Sequence, residues 1–364
     1  MRIPLVPLRA PARLARRARA APLSTSARAA SSRDETVSSS SAAATKCAAA
    51  GAGAGGAPQP FRLVPSYSLF AKRAPRPFPP PFHSPAAGAA AGEGAAFLSG
   101  VTNGDDAVLT NARYVAVADG VGQWNTRARG HAPLWARLML HFWSAELARG
   151  PWGFARAAGV DPVKCMQEAY SATFTATTNA GARRDQTWQG TTTVCGAVLR
   201  GARLVVLNVG DSVAMVYRPG ARWWALRTAE QWHWFDCPKQ LGTNSPDEPE
   251  KDAVVQELDV CDGDVVILAT DGLVDNMWDD EILTAIKTVL AVPEEVVVRE
   301  TGEGGDEGRM KLLAQRIVEE AKRTAIDPFA ESPYMERSID EGLGIGGGKW
   351  DDISVVAAVC RSTA

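Results

Sequence analysis

Long apolar runs are missing from this chain of 364 residues. No window approaches the roughly 18 unbroken apolar residues of a membrane-spanning helix, so no membrane span is expected. Net charge is nearly absent as well: 39 Lys and Arg stand against 41 Asp and Glu, and the resulting −2 offers no polybasic surface for nucleic acid. The six cysteines (Cys47, Cys165, Cys195, Cys237, Cys261 and Cys360) contain no Cys-x-x-Cys pair and have no histidine at zinc spacing. That excludes a zinc site and predicts reduced, mostly buried thiols. A Cys-x5-Arg loop is missing too, since Gly201 stands six positions after Cys195 and no other cysteine fits. No Gly-x-Ser-x-Gly elbow surrounds Ser212. Phosphocysteine and serine-triad chemistry are thereby disfavoured.

The first 33 residues lack any acid. They carry Arg2, Arg9, Arg13, Arg16, Arg17, Arg19, Arg28 and Arg33; because the whole chain is −2 and this stretch is +8, the rest is −10. An Arg-rich, acid-free start with Leu5, Leu8, Leu14 and Leu23 spaced along it reads as a transit peptide over 1–33. The mitochondrial matrix is the first address and the chloroplast the second. Residues 34–96 run from Ser to Ala and Gly and then to proline, with Pro75 to Pro81 the densest part. Such composition predicts a disordered linker, because it offers too little apolar surface to hold one conformation. Periodic apolar patterning begins near Phe97, which places one folded domain at 97–364.

Within that domain, β-branched runs at 114–118, 192–199, 204–209, 214–218, 265–270 and 353–359 predict strands. Helical spacing covers 133–147, where Leu134, Trp135, Leu138, Phe142 and Ala145 share a side, and 310–325. Asp161 before Pro162 marks another helix start, and Asp279 is expected to cap a helix through Leu290. The order, strands and then two helices, twice, and a last strand, suggests an α+β fold of sheets covered by helix pairs. Stretches 243–252 and 300–309 read as inserted loops. Trp223, Trp224, Trp232 and Trp234 are expected to pack in the core or at sheet edges.

The aspartates carry the functional signal, because they stand at the ends of apolar strands. Tyr114 to Ala118 runs into Asp119-Gly120, 265–270 runs into Asp271-Gly272, and 204–209 ends in Gly210-Asp211-Ser212. Asp351-Asp352 immediately precedes the last strand. A carboxylate at a strand lip is held by rigid backbone, and a following glycine lets a metal or phosphate approach the main chain. One Asp-Gly alone reads as a turn; four lips together read as one site. Clustered carboxylates stay ionised together only beside cations, and oxygen-only ligation favours Mg²⁺ or Mn²⁺. Two such ions suit hydrolysis of a phosphate ester.

Val117 to Gly122, Asn208 to Ser212, Leu268 to Asn276 and Lys349 to Val356 resemble, in order, the signature motifs of the PP2C, or PPM, metal-dependent serine/threonine phosphatases. Gly104-Asp105-Asp106-Ala107 and Gly190 to Thr193 fit two further motifs, so that the resemblance spans roughly 100–360. Gln231, His233, Phe235, Pro238, Gln240 and Leu241, with Asp119 to Trp124, resemble the PTC7-like mitochondrial subgroup. The resemblance implies an αββα sandwich: two central antiparallel sheets, each covered by helices. It further implies that Asp119 bridges two ions and that the Gly120 carbonyl binds one. Asp271 and Asp351 would complete one shell and Asp105 would serve the other ion, while Asp211 and Asp275 match positions that, with Asp271, hold a weaker third ion in some members. Asp119 and Asp271 are the catalytic expectations.

Two positions depart from the family. The arginine that grips phosphate in some members is Val101 here, and the histidine two residues after the bridging Asp is Val121. Arg113, Arg127, Arg129 and His131 are candidate replacements. The function implied is hydrolysis of phosphoserine and phosphothreonine in protein substrates by water activated between two divalent ions, without a phosphoenzyme. The alternative is a catalytically weak phosphoprotein-binding module on the same fold. A monomer is expected.

Overall fold

The computed structural model describes residues 61–74, 76–79, 82, 98–149, 161–178 and 187–363. The transit-peptide expectation over 1–33 lies outside the described residues.

Alternation along the strands builds the layers. Val115 and Val117 of Tyr114–Ala118 face one side, and Val266 and Leu268 of Val265–Ala269 meet them in a central core between two sheets. The opposite faces, Tyr114, Ala116 and Ala118 in one sheet and Val265, Ile267 and Ala269 in the other, pack against helices. The six-stranded sheet runs in the order Val254–Asp259, Arg203–Val209, Val194–Arg200, Tyr114–Ala118, Asp106–Thr110, Val101–Asn103. Helices Ala132–Ala148 and Pro162–Thr177 cover it, the second capped by Asp161, whose carboxylate accepts from the Val163 and Lys164 N–H groups. The five-stranded sheet runs Phe61–Phe70, Ile353–Ser362, Val265–Ala269, Val213–Tyr217, Leu226–Arg227. Helices Asp279–Leu290 and Gly305–Ile326 cover that one. Both sheets are antiparallel throughout, and the αββα sandwich is the fold.

Register gathers the acids at one end of the sandwich. Ala269 pairs with both Val213 and Val355, so Asp271, Asp211 and Asp351 all leave the five-stranded sheet at the same edge. In the other sheet Ala118 pairs with Ala107, which brings Asp119 beside the turn that carries Asp105.

Several expectations need correction. Residues 61–70 do not belong to a disordered linker: they form a strand paired along its whole length with Ile353–Ser362, from Phe61 opposite Ser362 to Phe70 opposite Ile353. Phe61, Leu63 and Val64 are buried, and Pro65 is tolerated because the strand is an edge with a neighbour on one side only. The folded unit therefore begins before residue 97. Residues 300–309 are no insertion; helix Glu294–Thr301 ends at Gly302, whose φ of 75° closes it, and the next helix starts at Gly305. Asp279 is the first helical residue rather than a cap. The N–H of Trp278 before it donates to Glu281 Oε2, and Asp279 pairs with Arg227 at 2.6 Å. Cys165, Cys195, Cys237 and Cys360 are free thiols, whereas Cys261 is disulfide-bonded. Trp223, Trp232 and Trp234 are exposed, the last at 69%.

Candidate metal centre

Asp119 is pinned through its backbone. Its N–H donates to Thr193 Oγ1 at 3.2 Å, and its carbonyl accepts from the Thr193 N–H at 2.9 Å and the Thr192 hydroxyl at 2.8 Å. The Gly190-Thr-Thr-Thr segment thus fixes the direction of the lip. Gly120 is required by close approach, since a Cβ there would lie 2.2 Å from the Asp105 carbonyl oxygen. Gly104, at a φ of +58°, lets the Asp105 N–H donate to Asp352 Oδ2 at 2.9 Å. Asp352 also accepts from the Lys72 N–H at 2.7 Å, so this residue braces the site.

Asp119, Asp211 and Asp271 each aim a carboxylate oxygen into one space, within 4.8 Å of one another. Asp211 Oδ1 and Asp271 Oδ1 are buried there without a hydrogen-bond donor among the described residues. Buried acceptors of this kind are costly unless something fills the space, and an all-oxygen set suits a hard divalent cation. The electrostatics agree. Burial, and then the charges of Asp271, Asp106 and Asp351, hold the Asp119 carboxyl well above its usual range. Burial and Asp271 raise Asp211 likewise, and burial and Asp271 raise Asp351. Asp271 goes the other way: burial opposes its ionisation, but Lys349 and a hydrogen bond with Asp119 outweigh it and bring the group down to about 2. Without cations, the cluster holds protons in their place.

The other predicted residues join through protein cations. Lys349 Nζ lies 2.6 Å from Asp271, 2.8 Å from Asp275 and 3.7 Å from Asp351. Asp275 is also paired with Arg337, and Asp211 Oδ2 accepts from Trp232 Nε1 at 3.0 Å. Asp105 accepts from Asn125 Nδ2 at 2.7 Å, with Arg73 Nη2 3.9 Å away. Lys72 pairs with Asp351.

Three of the four candidate replacements for the phosphate grip have other partners, although Arg127 also lines the cleft beside Val121. Arg127 lies over Trp124 and Arg129 over Trp188, while His131 accepts the Leu134 N–H and bonds to the Pro77 carbonyl. Basic groups come instead from the segment after Phe61–Phe70: Lys72 pairs with Asp351 and Arg73 lies 3.9 Å from Asp105, while Arg76 beside them donates to the Gly130 carbonyl at 2.6 Å. Arg73, Arg76 and Asn125 line a pocket of about 240 Å³ with Asp105 and Asp352. Sequence reasoning missed Lys72, Arg73 and Arg76, because the prolines within and after 61–70 mask the strand that carries them to the site. Lys349 lay inside a quoted motif without a role. On the far side of Asp119, Val121 and Trp124 share a cleft of about 630 Å³ with His233, Trp234 and Asp236. There Asp247 organises the wall, accepting from the Gln240 N–H at 2.9 Å and bonding His233 Nε2 at 2.9 Å.

A protein phosphatase 2C family model matches residues 94–301, more than half of the chain. The chain belongs to the protein phosphatase 2C family. A PTC7 homologue from Xenopus laevis is 30% identical over 71% of this chain and 82% of its own length. The probable protein phosphatase 2C 80 of Arabidopsis thaliana is 30% identical over 72% of this chain, which spans 56% of that relative's length. Among solved structures, the photosystem II phosphatase PBCP is similar with a TM-score of 0.55 and 25% identity, over 70% of this chain and 91% of that one. The strand-lip motifs therefore sit, in a phosphatase 2C chain, on the fold that the motifs implied.

Proposed function

We propose that this chain is a metal-dependent protein serine/threonine phosphatase acting on phosphoserine and phosphothreonine esters. The observation that carries the reading is the convergence of Asp119, Asp211 and Asp271, with two buried oxygens lacking donors, beside a pocket lined by arginine. When bound, two divalent ions, Mg²⁺ or Mn²⁺, supply an activated water and neutralise phosphoryl oxygens. Asp119 and the Gly120 carbonyl would hold them, with Asp271, Asp211 and Asp351 from the strand ends and Asp105 from the facing turn. Arg73 and Arg76 orient the phosphoryl group from the segment that crosses Asp105, filling the role left open at Val101. The cleft behind Val121 receives the flanking substrate peptide.

The test is phosphate release from phosphothreonine and phosphoserine peptides with Mn²⁺, with Mg²⁺ and with EDTA, beside Asp119→Asn. Turnover that needs metal and is lost in the variant supports the reading. A folded wild type without turnover under either metal would leave the phosphoprotein-binding module. Residues 1–33 are proposed to direct the chain to the mitochondrial matrix, on their Arg-rich, acid-free composition and the resemblance of 231–241 to the PTC7-like mitochondrial subgroup; similarity to a photosystem II phosphatase makes the chloroplast the alternative. A reporter fused to 1–33 and offered to both isolated organelles separates the two.

A further inference from the structure

The carboxylate cluster has two unlike halves. On the Asp119 side, Asp211 Oδ1 and Asp271 Oδ1 are buried with no donor among the described residues, although the other oxygen of Asp271 is held by Lys349. On the Asp275 side every acid faces a protein cation. Lys349 Nζ contacts Asp271 at 2.6 Å, Asp275 at 2.8 Å and Asp236 at 3.0 Å, three acceptors for the three N–H bonds of an ammonium. The Tyr334 ring lies 5.3 Å from the same nitrogen, and Arg337 pairs with Asp275 and reaches Glu230 at 3.4 Å. Asp236 makes its contact from a left-handed backbone at a φ of 56°.

The position of Lys349 does not depend on the ion pairs alone. Its N–H donates to Asn276 Oδ1 at 2.9 Å, and its carbonyl accepts from Asn276 Nδ2 at 2.9 Å. Asn276 follows Asp275 directly and is itself buried. Two backbone hydrogen bonds therefore hold the lysine opposite Asp275 whether or not its charge is engaged.

We propose that Lys349 is a resident cation occupying the place in which Asp275 would otherwise help to bind a divalent ion, so that this chain takes up divalent ions only on the Asp119 side. The inference rests on the divalent-ion reading of that side. A divalent ion between Asp271 and Asp275 would stand against the ammonium that those same carboxylates hold, and expelling the ammonium would strip a buried charge of its partners. Lysine suits the task because its compact charge rides on a long flexible stem. The weaker third ion expected from Asp211, Asp271 and Asp275 does not fit this arrangement, since Asp275 is already saturated by Lys349 and Arg337.

The experiment counts Mn²⁺ bound to the metal-stripped full chain by titration calorimetry, for wild type, Asp275→Asn, Lys349→Met and the double variant. Asp275→Asn is expected to bind as many ions as wild type. Lys349→Met is expected to gain one site and to lose it again in the double variant. In EDTA, Lys349→Met should melt below wild type, and saturating Mn²⁺ should close that gap. Loss of an ion in Asp275→Asn overturns the proposal, and so does an unchanged ion count in a folded Lys349→Met. If Lys349→Met does not fold, the Asp275→Asn count still decides. Phosphopeptide turnover is measured on the same wild-type sample: ion counts as expected without turnover would support the resident cation while removing the phosphatase reading.

Discussion

Asp119 and Asp271 stand one and two residues beyond buried central strands, and the backbone next to each fixes its aim. Lys72, Arg73 and Arg76 reach the same place by a different route. They follow an edge strand whose partner is the last strand of the chain, and the Lys72 N–H finds its acceptor on Asp352, 280 positions away. The acids are thus set by local sequence and the bases by a long-range pairing. Opposite ends of the chain close one site, and whatever loosens the Phe61–Phe70 strand should loosen the basic side.

Removing that strand breaks the comparison most severely. A chain beginning at residue 97 loses the burial of Phe61, Leu63 and Val64, each worth about 1.5–3 kcal/mol, and bares the edge of Ile353–Ser362. The sum is on the order of 5 kcal/mol, comparable to the whole stability of many domains, so insolubility or a Tm lower by on the order of 10–20 °C is expected. Thermal denaturation checks this; a shortened chain melting with the full chain would restore the boundary at 97. Next in size is Asp119→Asn. Several kcal/mol of charge stabilisation should vanish, lowering phosphate release at saturating Mn²⁺ by on the order of 10³-fold. Activity within tenfold of wild type would remove Asp119 from the centre.

The same contrast explains what could be read in advance. Strands at 114–118 and 265–270 announce themselves by β-branched runs, and Asp119 and Asp271 are visible because the run and the acid are neighbours in sequence. Helices with an apolar stripe and a cap, such as the one begun by Asp161, are legible for the same reason. The strand at 61–70 was hidden by the prolines that surround it, since a compositional average over 57–85 hides a ten-residue strand that becomes stable only when Ile353–Ser362 pairs with it. Lys349 was hidden differently: a lysine before Asp351 reads as a solvated charge until the fold turns it inward among four carboxylates. The exposed Trp234 shows the converse, an apolar side chain left outside because it lines a cleft.

Arg73→Ala sharpens the basic half. The side chain is 62% exposed, so its removal should leave Tm within about 1–2 °C of wild type. A charge-assisted hydrogen bond to the phosphoryl group is worth about 1.5–3 kcal/mol, which predicts a fall of about 10–100-fold in kcat/KM. Unchanged kcat/KM on phosphopeptides would take Arg73 out of the grip and leave Arg76 as the nearest alternative.

The smallest effect separates the two halves by pH. In EDTA, burial raises Asp275, against Lys349 and Arg337, to about 7, and raises Asp352 to about 6, while Asp119 and Asp211 are also held high. The folded protein therefore keeps protons that the unfolded chain has released above 3.8, and the stability this confers is complete below 3.8 and lost as pH rises through about 7. Asp271, lowered to about 2, contributes in the opposite sense, but its contribution is lost only as pH falls from 3.8 towards that value and does not offset the change above it. The metal-free Tm should accordingly fall across the interval from 3.8 to about 7, by about 3–5 °C per pH unit for each proton released. Saturating Mn²⁺ replaces protons on the Asp119 side and should flatten the curve there. Lys349 already accompanies Asp275, so a residual slope near pH 7 should survive in Mn²⁺. A metal-free Tm that climbs through this interval would show that the acids are ionised together without a cation, and the division between an ion-binding half and a lysine-filled half would lose its basis.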